Sequence, residues 1–182
     1  TLVGDRFQMG FGGKGANQAV QAARFGAPVA MVNAVGDDAY GASHLANFVK
    51  EGIDTRWMRT VSGSSGVAPI WVDANGINRI IIVPGANNET DPAVAEAAVR
   101  EFKPSIVVGQ FEIPQATTLA AFRAARAAGI TTLLNPAPAA EIDPALLAVS
   151  DWLAPNEMEF TTMFGGSAIG VGADERILAA AE

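Results

Sequence analysis

The sequence predicts an α/β fold, with a mainly parallel sheet flanked by helices and a small β-sheet lid. Two observations lead there. Short apolar runs alternate with alanine-rich amphipathic stretches, the pattern of βαβ units around a parallel, Rossmann-like sheet. One segment breaks that rhythm with an antiparallel hairpin, which places a second, smaller sheet off the first. The 182 residues suffice for one domain of ordinary size. Hydrophobic residues make up 49% of them and aromatics only 7%, so the core is built mainly from Ala, Val, Ile and Leu.

The elements follow in order. Gln18–Phe25 is alanine-rich and reads as a helix, Val29–Val35 as a strand, and the segment around His44, Leu45 and Phe48 as a helix. Val67–Val72 alternates, Asn75-Gly76 turns and Arg79–Val83 returns; Asn-Gly between apolar runs is the strongest short-range hairpin signal. Thr1–Gln8 and Arg56–Val61 are candidate further strands of the lid. Asp91-Pro92 supplies an N-cap and a first-turn proline, after which Val94, Ala98, Val99 and Phe102 recur at helical spacing. Ile106–Phe111 is a strand, and Pro114–Ala128 a helix with Leu119 and Phe122 inward and Gly129 at its end. Thr131–Leu134 is a strand, Asp143-Pro144 starts a helix before Leu146 and Leu147, and Trp152–Ala154 is a strand. The resulting division puts an α/β core at 11–53 and 85–182 and the β-lid at 1–10 and 54–84.

Composition excludes several classes. The net charge of −7 argues against a nucleic-acid partner, which requires a basic stripe. No run approaches eighteen consecutive apolar residues and no signal-peptide pattern is present, so the chain reads as soluble, with no membrane partner. The absence of cysteine rules out disulfides and thiolate metal sites and fits a reducing, cytoplasmic compartment. Both ends read as truncated: Thr1 is not Met, no apolar strand precedes the glycine cluster, and Asp174–Glu182 resembles a helix cut short.

The chemistry gathers in two places. In Phe11-Gly-Gly-Lys-Gly-Ala-Asn17, Gly12 and Gly13 let backbone approach a ligand, Lys14 adds a point charge and Asn17 both a donor and an acceptor. The cluster reads as a loop entering a helix, suited to hydroxyls or phosphates. The strand ends form the second place, because ligands of open parallel sheets bind at carboxyl ends. The four strands run into Gly36-Asp37-Asp38, Glu112, Asn135-Pro136 and Pro155-Asn156. Asn156-x-x-Glu159 fits a helix N-terminal capping box, which spacing alone favours, and also an amide and carboxylate beside Mg²⁺ and phosphate. His44, the only histidine, lies far from any partner acid or nucleophile and reads as structural or surface.

Together these residues resemble the ribokinase-like (PfkB) family of carbohydrate kinases. The resemblance is carried by Gly-Gly-Lys-Gly-Ala-Asn-Gln-Ala at 12–19, Gly36-Asp37-Asp38 with Gly41, and Pro84-Gly85-Ala86-Asn87. Leu134-Asn135-Pro136-Ala137-Pro138-Ala139 and Pro155-Asn156-Glu157-x-Glu159 complete the series, which spans nearly the whole chain. It implies transfer of the γ-phosphoryl group of ATP to a sugar hydroxymethyl, with D-ribose the favoured sugar. Gly12, Gly13, Lys14 and Asn17 would bind sugar hydroxyls, and Glu112 would accept from others. Asn156 would lie near the nucleotide phosphates and Glu159 near the Mg²⁺ water shell. The hairpin would be the lid, which in this family also pairs with a second subunit as a homodimer. A monovalent cation such as K⁺ is implied, with ligands beyond Glu182.

The departures are equally specific. The family's first strand, with its sugar-binding Asn and Asp, is expected before Thr1, and the Gly-Ala-Gly-Asp segment carrying the catalytic Asp is absent. Gly170-Val-Gly-Ala-Asp174 mimics it in composition only, so no catalytic residue is assigned within the chain, and the isolated chain is expected to be inactive. Three alternatives stand beside the ribose kinase reading. One is a kinase of another sugar or a nucleoside. Another is a non-catalytic sugar-binding or dimerisation fragment. The third is an NAD-dependent oxidoreductase, since Gly10-x-Gly12-x-x-Gly15 with Asp37 formally matches a dinucleotide fingerprint; the polar segment Leu2–Met9 makes a poor buried strand before it.

Overall fold

The computed structural model describes residues 4–165. Parallel pairing dominates. Strands β1 (Ala30–Gly36) and β2 (Asp54–Val61) pair in parallel, with Val32 opposite Trp57 and Gly36 opposite Val61. Strands β5 (Ile106–Gly109), β6 (Thr131–Leu134) and β7 (Trp152–Leu153) form a second parallel sheet in the order β5-β6-β7. Between them in sequence lies the antiparallel hairpin of β3 (Ile70–Val72) and β4 (Asn78–Ile80), extended by a Val67–Val83 bridge. The helices are α1 (Lys14–Arg24), α2 (Ala39–Lys50), α3 (Pro92–Phe102), α4 (Gln115–Ala127), α5 (Pro144–Leu147) and α6 (Glu157–Phe164).

The fold class is as the sequence predicts, and three details differ. Arg56–Val61 does form a strand, but it pairs along its length with β1 instead of joining the hairpin. Its register brings Trp57 into the core, where the ring meets Phe102 edge-on at 5.9 Å, so burial decides the pairing. Residues 4–10 form no strand, which removes them from the expected lid sheet. The parallel strands also fall into two sheets among the described residues. Helices α3 and α4 pack on one another and join them, with α3 on β1 and β2 and α4 on β5 and β6.

Local chemistry sets the helix starts. The Asp91 and Asp143 carboxylates accept from the Ala93 and Ala145 amides, each followed by the expected proline. Phe122, Leu134 and Leu146 are fully buried and centre a core that takes in Val107, Leu119, Ile142 and Leu153. The hairpin turn is longer than Asn75-Gly76 alone. Asp73 accepts from the Asn75 and Ile77 amides, and Gly76 takes the positive φ of 78° that closes it. Among the described residues no helix is long and apolar enough to cross a membrane. Gly170–Asp174 and the helix expected over Asp174–Glu182 lie outside the described residues.

Candidate functional site at the strand tips

Helix α1 begins four residues earlier than its alanine content suggests, so Lys14 and Asn17 occupy its first turn and only Gly12 and Gly13 remain outside. The cause is tertiary. A helix start leaves backbone N–H groups without intrahelical partners. Gly13, at φ 95°, offers no capping side chain, and the Lys14 amide donates instead to Glu112 Oε2 at 2.5 Å, 98 residues away. Glu112 follows the tip of β5, so the carboxylate that caps α1 also pins the glycine cluster to a strand end. The structure therefore brings Gly13, Lys14 and Glu112 together. Among the described residues the Lys14 ammonium meets no carboxylate within ion-pair distance.

Asn17 faces elsewhere. It is exposed and lines an open hollow of about 400 Å³ between α1 and α2, with Phe11, Gln21, Arg24, Asn47 and Glu51. Phe11 packs edge-on against His44 at 5.3 Å, and His44 also touches Phe48. Burial pushes the His44 imidazole down, against the opposing pull of Asp38. Of the two sequence readings of His44, structural or surface, its half-buried packing between Phe11 and Phe48 fits the structural one. A wider hollow at Arg126, Ile130, Asp151 and Trp152 lies at the opposite, amino-terminal ends of β6 and β7 and contains no strand-tip residue.

Asn156 and Glu159 sit at the start of α6 after β7. The Asn156 side chain accepts from the Glu159 amide at 2.8 Å. The Glu159 carboxylate accepts from the Asn156 amide and from its Nδ2 at 2.8 and 2.9 Å, a complete capping box. Glu159 is only 5% exposed and faces no cation within ion-pair distance among the described residues. Each of its oxygens already holds one hydrogen bond. Direct metal ligation is a poor fit, while a hydrated cation opposite this buried carboxylate, which has no cationic partner among the described residues, is a good one. Among the described residues no three His, Cys, Asp or Glu side chains converge as a metal site.

The tips of the first sheet are tied as well. Asp38 caps α2 through the Gly41 amide and accepts from both the hydroxyl and the amide of Ser65. The Ser65 hydroxyl comes first among the causes that bring its carboxyl down to about 2, ahead of the Gly41 and Ser65 amides. Ser65 Oγ accepts in turn from the Gly36 amide at 3.0 Å, closing a clasp between β1 and the chain leading to the hairpin. Asp37 accepts from the Gly63 amide, and no strand precedes Gly10 among the described residues. Both observations remove the context a dinucleotide fingerprint requires.

Sequence reasoning passed over several members of this region. Gln18, in α1, donates to Asn135 Oδ1 at 3.1 Å and accepts from Gln110 Nε2. Asn33, within the apolar run of β1, donates to Asn87 and accepts from Thr90. A signal was present for Asn33, since an amide placed within an apolar strand requires a partner; Gln18, on a helix, gives no such local signal.

An open α/β framework with polar strand tips and a helix start docked on a tip carboxylate is of the class whose small-molecule ligands bind at the carboxyl ends of the strands. The chain matches the pfkB family carbohydrate kinase model over residues 1–182. The deoxyribokinase of Salmonella typhi is 40% identical over 168 residues, covering 91% of this chain and 55% of that protein. The ribokinase of Bacillus subtilis (strain 168) is 42% identical over 166 residues, covering 90% and 56%. The structure of Arabidopsis thaliana ribokinase complexed with ribose and ATP aligns with a TM-score of 0.83 at 28% identity, covering 100% of this chain and 59% of that one. The chain belongs to the pfkB family of carbohydrate kinases. It spans about half the length of the curated relatives it matches, 55% and 56% for the two named.

Proposed function

We propose that the full-length protein is an ATP-dependent sugar kinase that phosphorylates the hydroxymethyl group of D-ribose. The observation that supports it best is the Glu112 carboxylate at the start of α1. A bare helix N-terminus attracts anions, but this one already carries a negative charge and suits a neutral polyol. A sugar hydroxyl donates to Glu112 Oε1 and accepts from Lys14 or a backbone amide, so one small patch satisfies both ends of each hydroxyl. Gly12 and Gly13 admit the ring closely, while Asn17, which faces the hollow between α1 and α2, stands off this patch.

The nucleotide side is α6. Asn156 stands beside the phosphates in this reading, and Glu159 meets Mg²⁺ through water, as its occupied oxygens require. The metal supplies neutralisation of phosphate charge. In the transfer the sugar oxygen bonds to the γ-phosphorus as its bond to the ADP oxygen breaks, and the hydroxyl proton leaves to a base. That base is not assigned to any of these residues, and neither is the monovalent-cation site the family resemblance implies. What the chain contributes is placement, on which phosphoryl transfer chiefly depends.

The hairpin after β2 is the lid in this reading and the contact between two copies. Ile70, Trp71, Val72 and Ile80 to Ile82 are each about half exposed, over both faces of a two-stranded sheet too short to stand alone. A second copy that covers them completes that sheet. ATP use and the cysteine-free sequence favour the cytoplasm as its place of work. A specific observation favours a second substrate: the Salmonella typhi relative at 40% identity is a deoxyribokinase. A coupled ADP-release assay of the full-length protein with ribose, 2-deoxyribose, fructose and adenosine tests the proposal. Ribose is expected to give the highest kcat/KM. Turnover of none of the four refutes the sugar kinase reading.

A further inference from the structure

Three amides run in one direction across the tips of β5, β6 and β7. Gln110, just after β5, donates through Nε2 to Gln18 Oε1. Gln18 donates through Nε2 to Asn135 Oδ1 at 3.1 Å. Asn135, just after β6, donates through Nδ2 to the Ala154 carbonyl at 2.8 Å, two residues before Asn156. Gln110 donates into the line, and Gln18 and Asn135 each accept on one side and donate on the other, an arrangement whose members polarise one another. Gln18 is the only member on a helix, and it lies one turn beyond Lys14, whose amide is held by Glu112. Space is equally committed there: a Cβ on Gly15 would stand 2.7 Å from Gln110 Oε1.

We infer that Gln18 is a positioning residue that sets the sugar-binding start of α1 against the strand tips leading to the nucleotide-binding start of α6. This inference rests on the proposed function above. The line Gln110–Gln18–Asn135–Ala154 is a side-chain connection from the Glu112 side of the site to the Asn156 side, and through Gln18 it ties α1 to strand tips that backbone bonds already join to one another. Phosphoryl transfer requires the acceptor oxygen and the γ-phosphorus in line, and a small misplacement of either partner costs rate far more than it costs binding. Gln18 touches neither reacting group in this reading. It fixes the distance between the two helices that hold them.

The test uses the full-length protein with Gln18→Leu, Asn135→Leu, the double variant and Gln18→Glu. The last retains the acceptor for Gln110 but has no donor for Asn135, and it decides the matter if Gln18→Leu fails to fold. The expected result is a kcat lowered about 10- to 100-fold, with dissociation constants for ribose and for a non-hydrolysable ATP analogue within about threefold of wild type. The double variant is expected to lose no more than either single leucine variant, because both cut one line. A kcat within threefold of wild type in Gln18→Glu, or full additivity in the double variant, overturns the inference while wild-type activity stands. Absence of ribose binding and turnover in the wild type overturns the proposed function, and this inference with it.

Discussion

Gly36→Ala tests how the hairpin segment is joined to the parallel core. Gly36 ends β1 without a positive φ, so alanine meets no intrinsic backbone penalty there; the obstacle is space. Its Cβ would stand 2.2 Å from the Gly63 carbonyl oxygen, 2.4 Å from the Ser65 nitrogen and 2.6 Å from the Ser64 carbonyl carbon. All three are backbone atoms, and each is well inside the normal contact distance. The 63–65 segment therefore has to move. Overpacking of this kind costs about 1–3 kcal/mol, and loss of the buried Gly36 amide to Ser65 Oγ bond adds about 1 kcal/mol. A loss of about 2–4 kcal/mol follows, measured as a lower urea midpoint at unchanged slope.

Gly129→Ala is the matched control. Gly129 has φ 70° and open space around its missing Cβ, so it carries only the left-handed backbone penalty, about 1–2 kcal/mol. If Gly36→Ala proves no more costly than Gly129→Ala, the clasp is not the close junction described. In the full-length protein Gly36→Ala is also expected to raise the KM for ribose, because the segment it displaces leads into the hairpin.

Three further outcomes are expected. Glu112→Gln and Lys14→Ala raise the KM for ribose about tenfold or more in steady-state assays of the full-length protein and leave the KM for ATP near wild type, since hydrogen bonds to charged groups contribute about 1.5–3 kcal/mol. Unchanged ribose KM removes both assignments. The Asp38 carboxyl lies at about 2 in the folded chain against 3.8 ordinarily, so its stabilisation is complete above the ordinary value and lost as pH falls from 3.8 towards 2. The urea-midpoint difference between wild type and Asp38→Asn therefore shrinks on going from about pH 5 to pH 2; a constant difference contradicts the clasp. Trp71→Glu in the hairpin shifts the full-length protein towards monomer in sedimentation, and an unchanged distribution excludes the hairpin as the contact between copies.

Much of this fold was legible because its signals are local. Asp91-Pro92 and Asp143-Pro144 announce α3 and α5 through the same cap and first-turn proline, and both carboxylates do cap. Leu119 and Phe122 are placed by helical spacing and pack into the core as expected. The failures arise where a distant partner decides. Lys14–Asn17 joins α1 because Glu112, 98 residues on, accepts the Lys14 amide. Arg56–Val61 pairs with β1 because that register buries Trp57, and no turn signal nearby reports it. Asn135 stands out in the sequence as a strand-tip residue and Gln18 as part of a motif, but nothing local joins them to each other or to Gln110; only the fold aligns their amides.

Reading each tip residue as either a helix cap or a ligand proves too narrow a choice. Glu112 and Glu159 each place a carboxylate at a helix start, and each thereby cancels part of the positive field that would otherwise draw phosphate. The consequences differ with what stands beside them. Next to Glu112 lie a diglycine and a lysine, which favours a neutral, hydroxyl-rich partner. Next to Glu159 the charge is buried and unpaired among the described residues, so phosphates approach α6 at low cost only with a cation between. If the proposed function holds, the caps would sort its two ligands by charge: an uncharged polyol at α1, and an anion that brings its own metal at α6. The kinase reading requires these two to be kept apart and in line, and on that reading the two carboxylates would contribute to that order through the same hydrogen bonds that start the helices.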